Sequence, residues 1–213
     1  MPNVTATDPR QIRSRALILD AAVGHFLEHG YLGGNVDALA SEAGVAKRTV
    51  YNLFESKAVL FRAAIEHATE TAEAFIAEWV DRPDGEVSAT ALDDEFTTFA
   101  LAHARAVLQP RVLATRRLLI GEVARFPELA ADYYERVPAR VMRALAQRLG
   151  RYASSGMLRV DDPEAAAQHF SYLVLGATLD QALFAPGILD DTDLIASRAR
   201  SGARAFLALS APH

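Results

Sequence analysis

The sequence predicts an all-α protein. An N-terminal three-helix helix-turn-helix domain is joined by a long fourth helix to a helical bundle, about nine helices in total. Three observations predict this. Apolar residues recur at steps of three and four. Period-two alternation and hairpin turns are scarce. Residues 36–57, VDALASEAGVAKRTVYNLFESK, read as two short helices joined by a tight turn at Gly44.

In the first helix Ile12, Ala16, Leu19, Val23 and Phe26 form one apolar stripe, and Gly30 stops it. Asn35 is placed to cap the second helix, whose buried face is Val36, Leu39, Ala40 and Ala43. In the third, Val50 and Phe54 point inward. Ser56 caps a long fourth helix with Phe61, Ile65, Ala68, Ala72, Phe75 and Trp79 on one stripe. Asp81, Arg82, Pro83, Asp84 and Gly85 break it. A fifth helix is expected over residues 88–108, ending before Pro110, and a sixth over residues 111–125. The seventh starts near Pro127, with a kink or break at Pro138 and a frayed end at residues 150–156.

Asp161, Asp162 and Pro163 start the eighth helix, and the last covers residues 191–209 after the Ala185-Pro186-Gly187 break. The eighth carries two stripes. One is Phe170, Leu173, Val174, Ala177, Gln181 and Phe184; the other is His169, Tyr172, Gly176, Leu179 and Leu183. A helix apolar nearly all round must be covered on both sides. The last helix carries Ile195, Ala199, Gly202, Phe206 and Leu209. These two helices either give one face to their own core and the other to a second subunit, or lie at the centre of a monomer.

Composition narrows the function. Half of the 213 residues are hydrophobic, enough for a sizeable core. With no cysteine, disulfides, thiol nucleophiles and cysteine-ligated zinc are excluded. No signal peptide and no apolar run of membrane-spanning length is visible, so a cytoplasmic protein without membrane contact is expected. The net charge of −5 argues weakly against nucleic-acid binding, yet residues 1–57 are neutral. Their basic residues cluster at 10–15, 47–48 and 57, a local footprint that global charge hides.

The third helix carries the chemistry. With Val50 and Phe54 inward, Lys47, Arg48, Thr49, Tyr51 and Asn52 face outward or sideways. Lys and Arg neutralise phosphate or fork onto guanine, Thr and Tyr donate to phosphate, and Asn pairs with adenine. The bland alternative is an ordinary solvated helix face.

The segment ALASEAGVAKRTVYNLFESKAVLF resembles the DNA-binding segment of the tetracycline-repressor (TetR) family of bacterial transcriptional regulators. Phe26, Gly30, Tyr31, Ala40, Gly44, Val45, Thr49, Tyr51, Phe54, Lys57, Leu60 and Phe61 stand in register, across about the first quarter of the chain. The resemblance implies a helix-turn-helix domain over residues 10–56 and an effector-binding and dimerisation domain over residues 57–213. It implies that Thr49, Tyr51 and Lys57 touch phosphate and that Lys47, Arg48 and Asn52 read sequence. Arg13 and Arg15 match positions near backbone contacts; solubilising charge is the equal alternative. Two departures stand out. Ala46 replaces the usual Ser or Thr cap of the third helix, and Asn35 stands where the second often begins with Ser or Thr, still able to cap and to donate to phosphate.

RRLLIGEVARFPELAADYYERVPARV resembles the ligand domain of one subgroup of that family, near multidrug-efflux regulators. The resemblance implies an effector cavity among the fourth to seventh helices and a two-fold dimer through the last two. Trp79, Phe96, Phe99, His103, Arg116, Arg117, Ile120 and Tyr133 are the candidates to line the cavity, with core packing as the alternative for the aromatics and Ile120. Arg116 and Arg117 fall in an apolar stretch, where a salt bridge to Glu122 or another acid competes with anion binding. His169, Tyr172, Gly176, Leu179, Leu183, Gly202 and Phe206 are the candidates for the dimer face.

His25, Glu28 and His29 formally match an inverted zinc-peptidase motif, but no further ligand is apparent, and no metal or cofactor is expected. No nucleophile constellation or phosphate loop is found, so no enzyme is expected. The expected function is sequence-specific DNA binding, a homodimer on a palindromic double-stranded operator, released by a small-molecule effector. The alternative is a helical ligand-binding or protein-interaction module without DNA function.

Overall fold

The computed structural model describes residues 9–80 and 92–211, without the side chains of Phe75, Ile76 and residues 78–80. The break expected at Asp81 to Gly85, the first residues of the expected fifth helix and the Trp79 side chain lie outside the described residues. Among the described residues the secondary structure is helical: α1 (Pro9–Gly33), α2 (Val36–Glu42), α3 (Lys47–Leu53), α4 (Lys57–Val80), α5 (Leu92–Val107), α6 (Pro110–Glu122), α7 (Pro127–Arg136), α8 (Pro138–Ser154), α9 (Pro163–Phe184) and α10 (Thr192–Ser210), with a 3-10 turn at Pro186–Asp190. The seventh helix of the sequence reading is divided at Pro138 into α7 and α8, because a proline ring cannot continue the preceding turn. No helix among the described residues is long and apolar enough to cross a membrane.

The chain forms two compact units. The first comprises residues 1–71 and 118–131, the second residues 72–117 and 132–213. The first is larger than the 10–56 segment because its core needs more than three helices. Ile18, Leu19, Val23 and Phe26 of α1, Leu39 of α2, Val50 of α3 and Leu60, Phe61 and Ile65 of α4 are all buried, and Phe26 packs edge-on against Phe61 at 5.0 Å. Phe126, buried in the segment after α6, stacks at a tilt on Phe61 at 4.8 Å, and Tyr31 packs edge-on against both.

Two expectations for α1 are corrected. Ile12 is 56% exposed and Ala16 is exposed, so the buried stripe begins at Ile18. At about 1.5 Å per residue, the seven-residue α2 and α3 cannot cover a 25-residue helix. Helical geometry breaks at Gly30 (φ 68°, ψ 178°), and one further turn runs to Gly33.

In the second unit an aromatic cluster organises the core. Phe170 of α9 lies 5.3 Å from Phe99 of α5 and 5.3 Å from Phe206 of α10. Phe96 stacks on Phe206 at 5.9 Å and meets Tyr152 of α8. The helix starts are fixed locally. Asp162 accepts from the backbone N–H groups of Glu164 and Ala165, with Pro163 in the first turn, and Asp191 accepts from that of Leu194. Where α10 crosses α9, a Cβ at Gly202 would sit 2.3 Å from the Leu173 carbonyl oxygen, so only glycine permits that approach.

Phe206 and Gly202 are therefore core residues of one chain, which corrects their placement on a dimer face. Phe184, on the same sequence stripe as the buried Phe170, is 84% exposed.

Candidate DNA-reading surface and ligand cavity

The turn between α2 and α3 needs the left-handed backbone that Gly44 supplies at φ +67°. Asn35 caps α2, its Oδ1 accepting from the N–H groups of Asp37 at 2.8 Å and Ala38 at 3.3 Å; its amide hydrogens remain as donors. The backbone N–H of Asn35 in turn donates to Nε2 of His25 at 2.9 Å. An accepting Nε2 places the ring proton on Nδ1, which donates to the Glu42 carboxylate at 2.9 Å. His25 is buried in this bridge between α1 and both ends of α2, so within the His25-Glu28-His29 sequence His25 has a structural role. Spacing could not have shown it, because the Glu42 partner lies 17 residues away.

On α3, Val50 and Phe54 are buried as expected. Lys47, Arg48, Tyr51 and Asn52 are exposed, and Thr49 is half-buried. Ala46 makes no side-chain cap, as its methyl dictates. Lys47 is occupied: its Nζ lies 2.7 Å from Asp37, which holds the ammonium above its ordinary pKa, and it sits over the Tyr51 ring. Lys57 donates to the Leu32 carbonyl at 3.0 Å and stands over the Tyr31 ring. Ser56 caps α4 through the Val59 N–H. Arg15 lies 4.9 Å over Phe54, bracing the base of α3.

The second unit holds a cavity of about 860 Å³. His103 and Val107 of α5, Val112 and Arg116 of α6, Val141, Met142 and Ala146 of α8 and Leu175, Leu179 and Leu183 of α9 line it, with Gln168, Ser171, Tyr172 and Gly176. Of the candidate pocket residues, His103 and Arg116 are in this lining. Phe96 and Phe99 do not line it, because they face the aromatic core. Arg117 points elsewhere and donates to the Ala182 carbonyl at 3.0 Å. Ile120 is 62% exposed and belongs to the first unit. Tyr133 is buried beside Arg116 but is not part of the wall. Tyr172, Gly176, Leu179 and Leu183, expected at a dimer face, turn toward the cavity, whereas His169 is exposed.

His103 is fully buried, with Nε2 at 3.1 Å from the Ser171 hydroxyl. Burial, helped by the nearby Arg116 charge, pushes its pKa down to about 3. The pair sets a hydroxyl beside a nitrogen, but so weak a base gives poor activation of a nucleophile. Burial raises the Tyr133 hydroxyl, and Arg116 pulls it back. Arg116 acts on it through charge and through a side-chain approach to the hydroxyl, although Tyr133 Oη and Arg116 Nε are both buried without a partner in full hydrogen-bond geometry. The Glu122 partner expected for Arg116 or Arg117 pairs instead with Arg125 at 2.6 Å.

Comparison with known proteins identifies both parts of the chain. Residues 18–64 match the family of bacterial regulatory proteins, tetR family, and residues 94–210 match the C-terminal domain of AefR-like transcriptional repressors. The chain is 29% identical over 152 residues to the uncharacterized HTH-type transcriptional regulator YezE of Bacillus subtilis, covering 71% of this chain and 76% of that one. A solved TetR-family regulator from Mesorhizobium loti superposes with a TM-score of 0.78 over 96% of this chain and 100% of that one, at 23% identity. The flavonoid-responsive regulator FrrA superposes with a TM-score of 0.69 at 30% identity, over 94% of this chain and 98% of that one.

Proposed function

The chain belongs to the tetR family of bacterial regulatory proteins and is a DNA-binding transcriptional regulator; we propose that it is a cytoplasmic, dimeric repressor released from a palindromic operator by a small molecule. The observation that carries the DNA reading is α3 itself. Val50 and Phe54 anchor one side of the helix, while Lys47, Arg48, Tyr51 and Asn52 stand exposed on the other. A short helix held in that way fits the major groove. In this reading residues 10–56, with Lys57 at the start of α4, hold the DNA. Thr49, Tyr51, Lys57 and the Asn35 amide take phosphate, and Lys47, Arg48 and Asn52 read bases.

Residues 57–213 bind the effector and the second subunit. The cavity supports the first role, having the volume and mostly apolar wall of a small-molecule site. FrrA, a similar protein, is described as flavonoid-responsive, which supports a ligand-released regulator. The second role is supported by the apolar side chains exposed on α9 and α10, with Leu173 at 40%, Phe184 at 84% and Leu209 at 71%. Two-fold pairing through these helices would present two copies of α3 to operator half-sites, hence a palindrome. The effector acts by binding one subunit geometry more tightly than the one that matches the operator spacing.

The test is a gel shift with DNA from upstream of the coding sequence. The wild type should give a discrete complex that the triple variant Lys47→Ala, Arg48→Ala, Tyr51→Ala does not form. Intact operator affinity in that variant would refute the reading.

A further inference from the structure

We propose that the ligand of the cavity is an organic acid, a carboxylate or ionised phenol on an apolar body, held by Arg116. This deepens the effector reading above and rests on it. Three basic side chains line the cavity: His103, Arg116 and Arg143. His103 is buried and neutral at working pH, bonded to Ser171, and offers no positive charge. Arg143 is already neutralised, at 3.3 Å from the Glu135 carboxylate and 3.1 Å from its carbonyl. Arg116 is half-buried and has no ion pair among the described residues, and its Nε is buried without a hydrogen-bond partner. The adjacent Tyr133 hydroxyl is also buried without one. The acids of the wall, Glu164 and Asp180, are solvent-exposed and make no ion pair with Arg116.

Arg116 is partly withdrawn from water and has one buried donor unpaired, so an anion entering the cavity would meet a cation that no acid of the wall already neutralises. Arginine presents paired N–H donors that match two oxygens on one planar group. Val107, Val112, Val141, Met142, Leu175 and Leu179 supply the surface for the apolar body. A single fixed cation in an apolar chamber therefore selects an amphipathic acid over its neutral relative.

The experiment uses two matched pairs: 1-naphthoic acid against its methyl ester, and naringenin at a pH where it is ionised against its fully O-methylated form. Binding is measured calorimetrically on the full-length wild type, Arg116→Met and Arg117→Met, with operator release followed on the same samples. Arg117, which faces Ala182 and not the cavity, controls for loss of one charge. The expected result is at least one acid that binds about tenfold or more tightly than its neutral partner, as a charge-assisted pair would give. Arg116→Met should erase that preference while keeping operator binding, and Arg117→Met should keep it. The two pairs separate a carboxylate from a phenolate. Neutral partners that bind as well as the acids, no acid that binds at all, or a preference that survives Arg116→Met would each overturn the proposal. Neutral compounds that bind and release DNA would sink the acid preference and leave the effector reading standing. An acid that binds through Arg116 without releasing DNA would do the reverse.

Discussion

The His25 imidazole donates through Nδ1 to the Glu42 carboxylate at 2.9 Å, and this one bond ties the middle of α1 to the end of α2. The same ring accepts the Asn35 N–H at the other end of α2. Replacing His25 with Phe would keep an aromatic ring, though a larger one, and leave that N–H without its acceptor, a loss of at least about 1–3 kcal/mol. Urea unfolding should show it, and operator affinity should fall although position 25 faces the core. Unchanged stability would mean that the bridge contributes nothing.

Asp37 holds Lys47 at 2.7 Å in the free protein. Asp37→Asn releases that ammonium. Operator affinity should rise, and preference at the base that Lys47 reads should change by about 1–3 kcal/mol. Affinity and preference both identical to those of the wild type would place Lys47 away from DNA.

Lys57→Ala and Tyr51→Phe should weaken binding to all sequences alike, because phosphate contacts carry no base information. Arg48→Ala and Asn52→Ala should instead alter which operator is preferred, with about 1–3 kcal/mol of discrimination lost at the contacted base. Selection from a randomised library on each variant separates the classes; a shifted consensus with Lys57→Ala would contradict the assignment.

His103 makes stability depend on pH. Its folded pKa of about 3 lies below the ordinary 6.5, so between those values the unfolded chain binds the extra proton. The stabilisation is complete above pH 6.5 and is lost as pH falls toward 3. At pH 5 the loss is about 2 kcal/mol. His103→Gln should therefore lose less stability than the wild type between pH 7 and pH 5 in paired urea titrations. Equal losses would show that His103 is accessible to protons.

Gly202→Ala would thrust a methyl into the backbone of Leu173, which no side-chain rotation relieves. A cost of at least about 1–3 kcal/mol is expected. A melting temperature equal to that of the wild type would mean that α9 and α10 are further apart than described.

The helix-turn-helix was legible because its signals are local. Val50 and Phe54 define a face four residues apart, Gly44 marks the turn, and the missing cap follows from Ala46 alone. What was not legible depends on partners brought together by folding. His25 looked like half of a metal motif until Asn35 and Glu42 closed on it, and Phe126 looked like a loop residue although it is buried against Phe61. Periodicity gave α9 two apolar faces but not which neighbour covers each. Tyr172 and Leu179 went to the cavity, and Phe206 of α10 went to the core. Arg116 was singled out by its apolar neighbours in sequence, whereas Phe96 and Phe99 were misplaced because an aromatic side chain suits a core and a cavity equally well.

The two faces of α9 have a consequence for how such a regulator changes over time. Phe170, Val174 and Ala182 are buried in the fold, while Gln168, Tyr172, Leu179 and Leu183 line the cavity. No residue in the second group is fully buried. Substitutions there can alter which molecule is sensed at small cost in stability, so sensory range and structural integrity are free to evolve separately along one helix. For anyone building a biosensor from this chain, those four positions are the dial, and the first three are the frame that must be left alone.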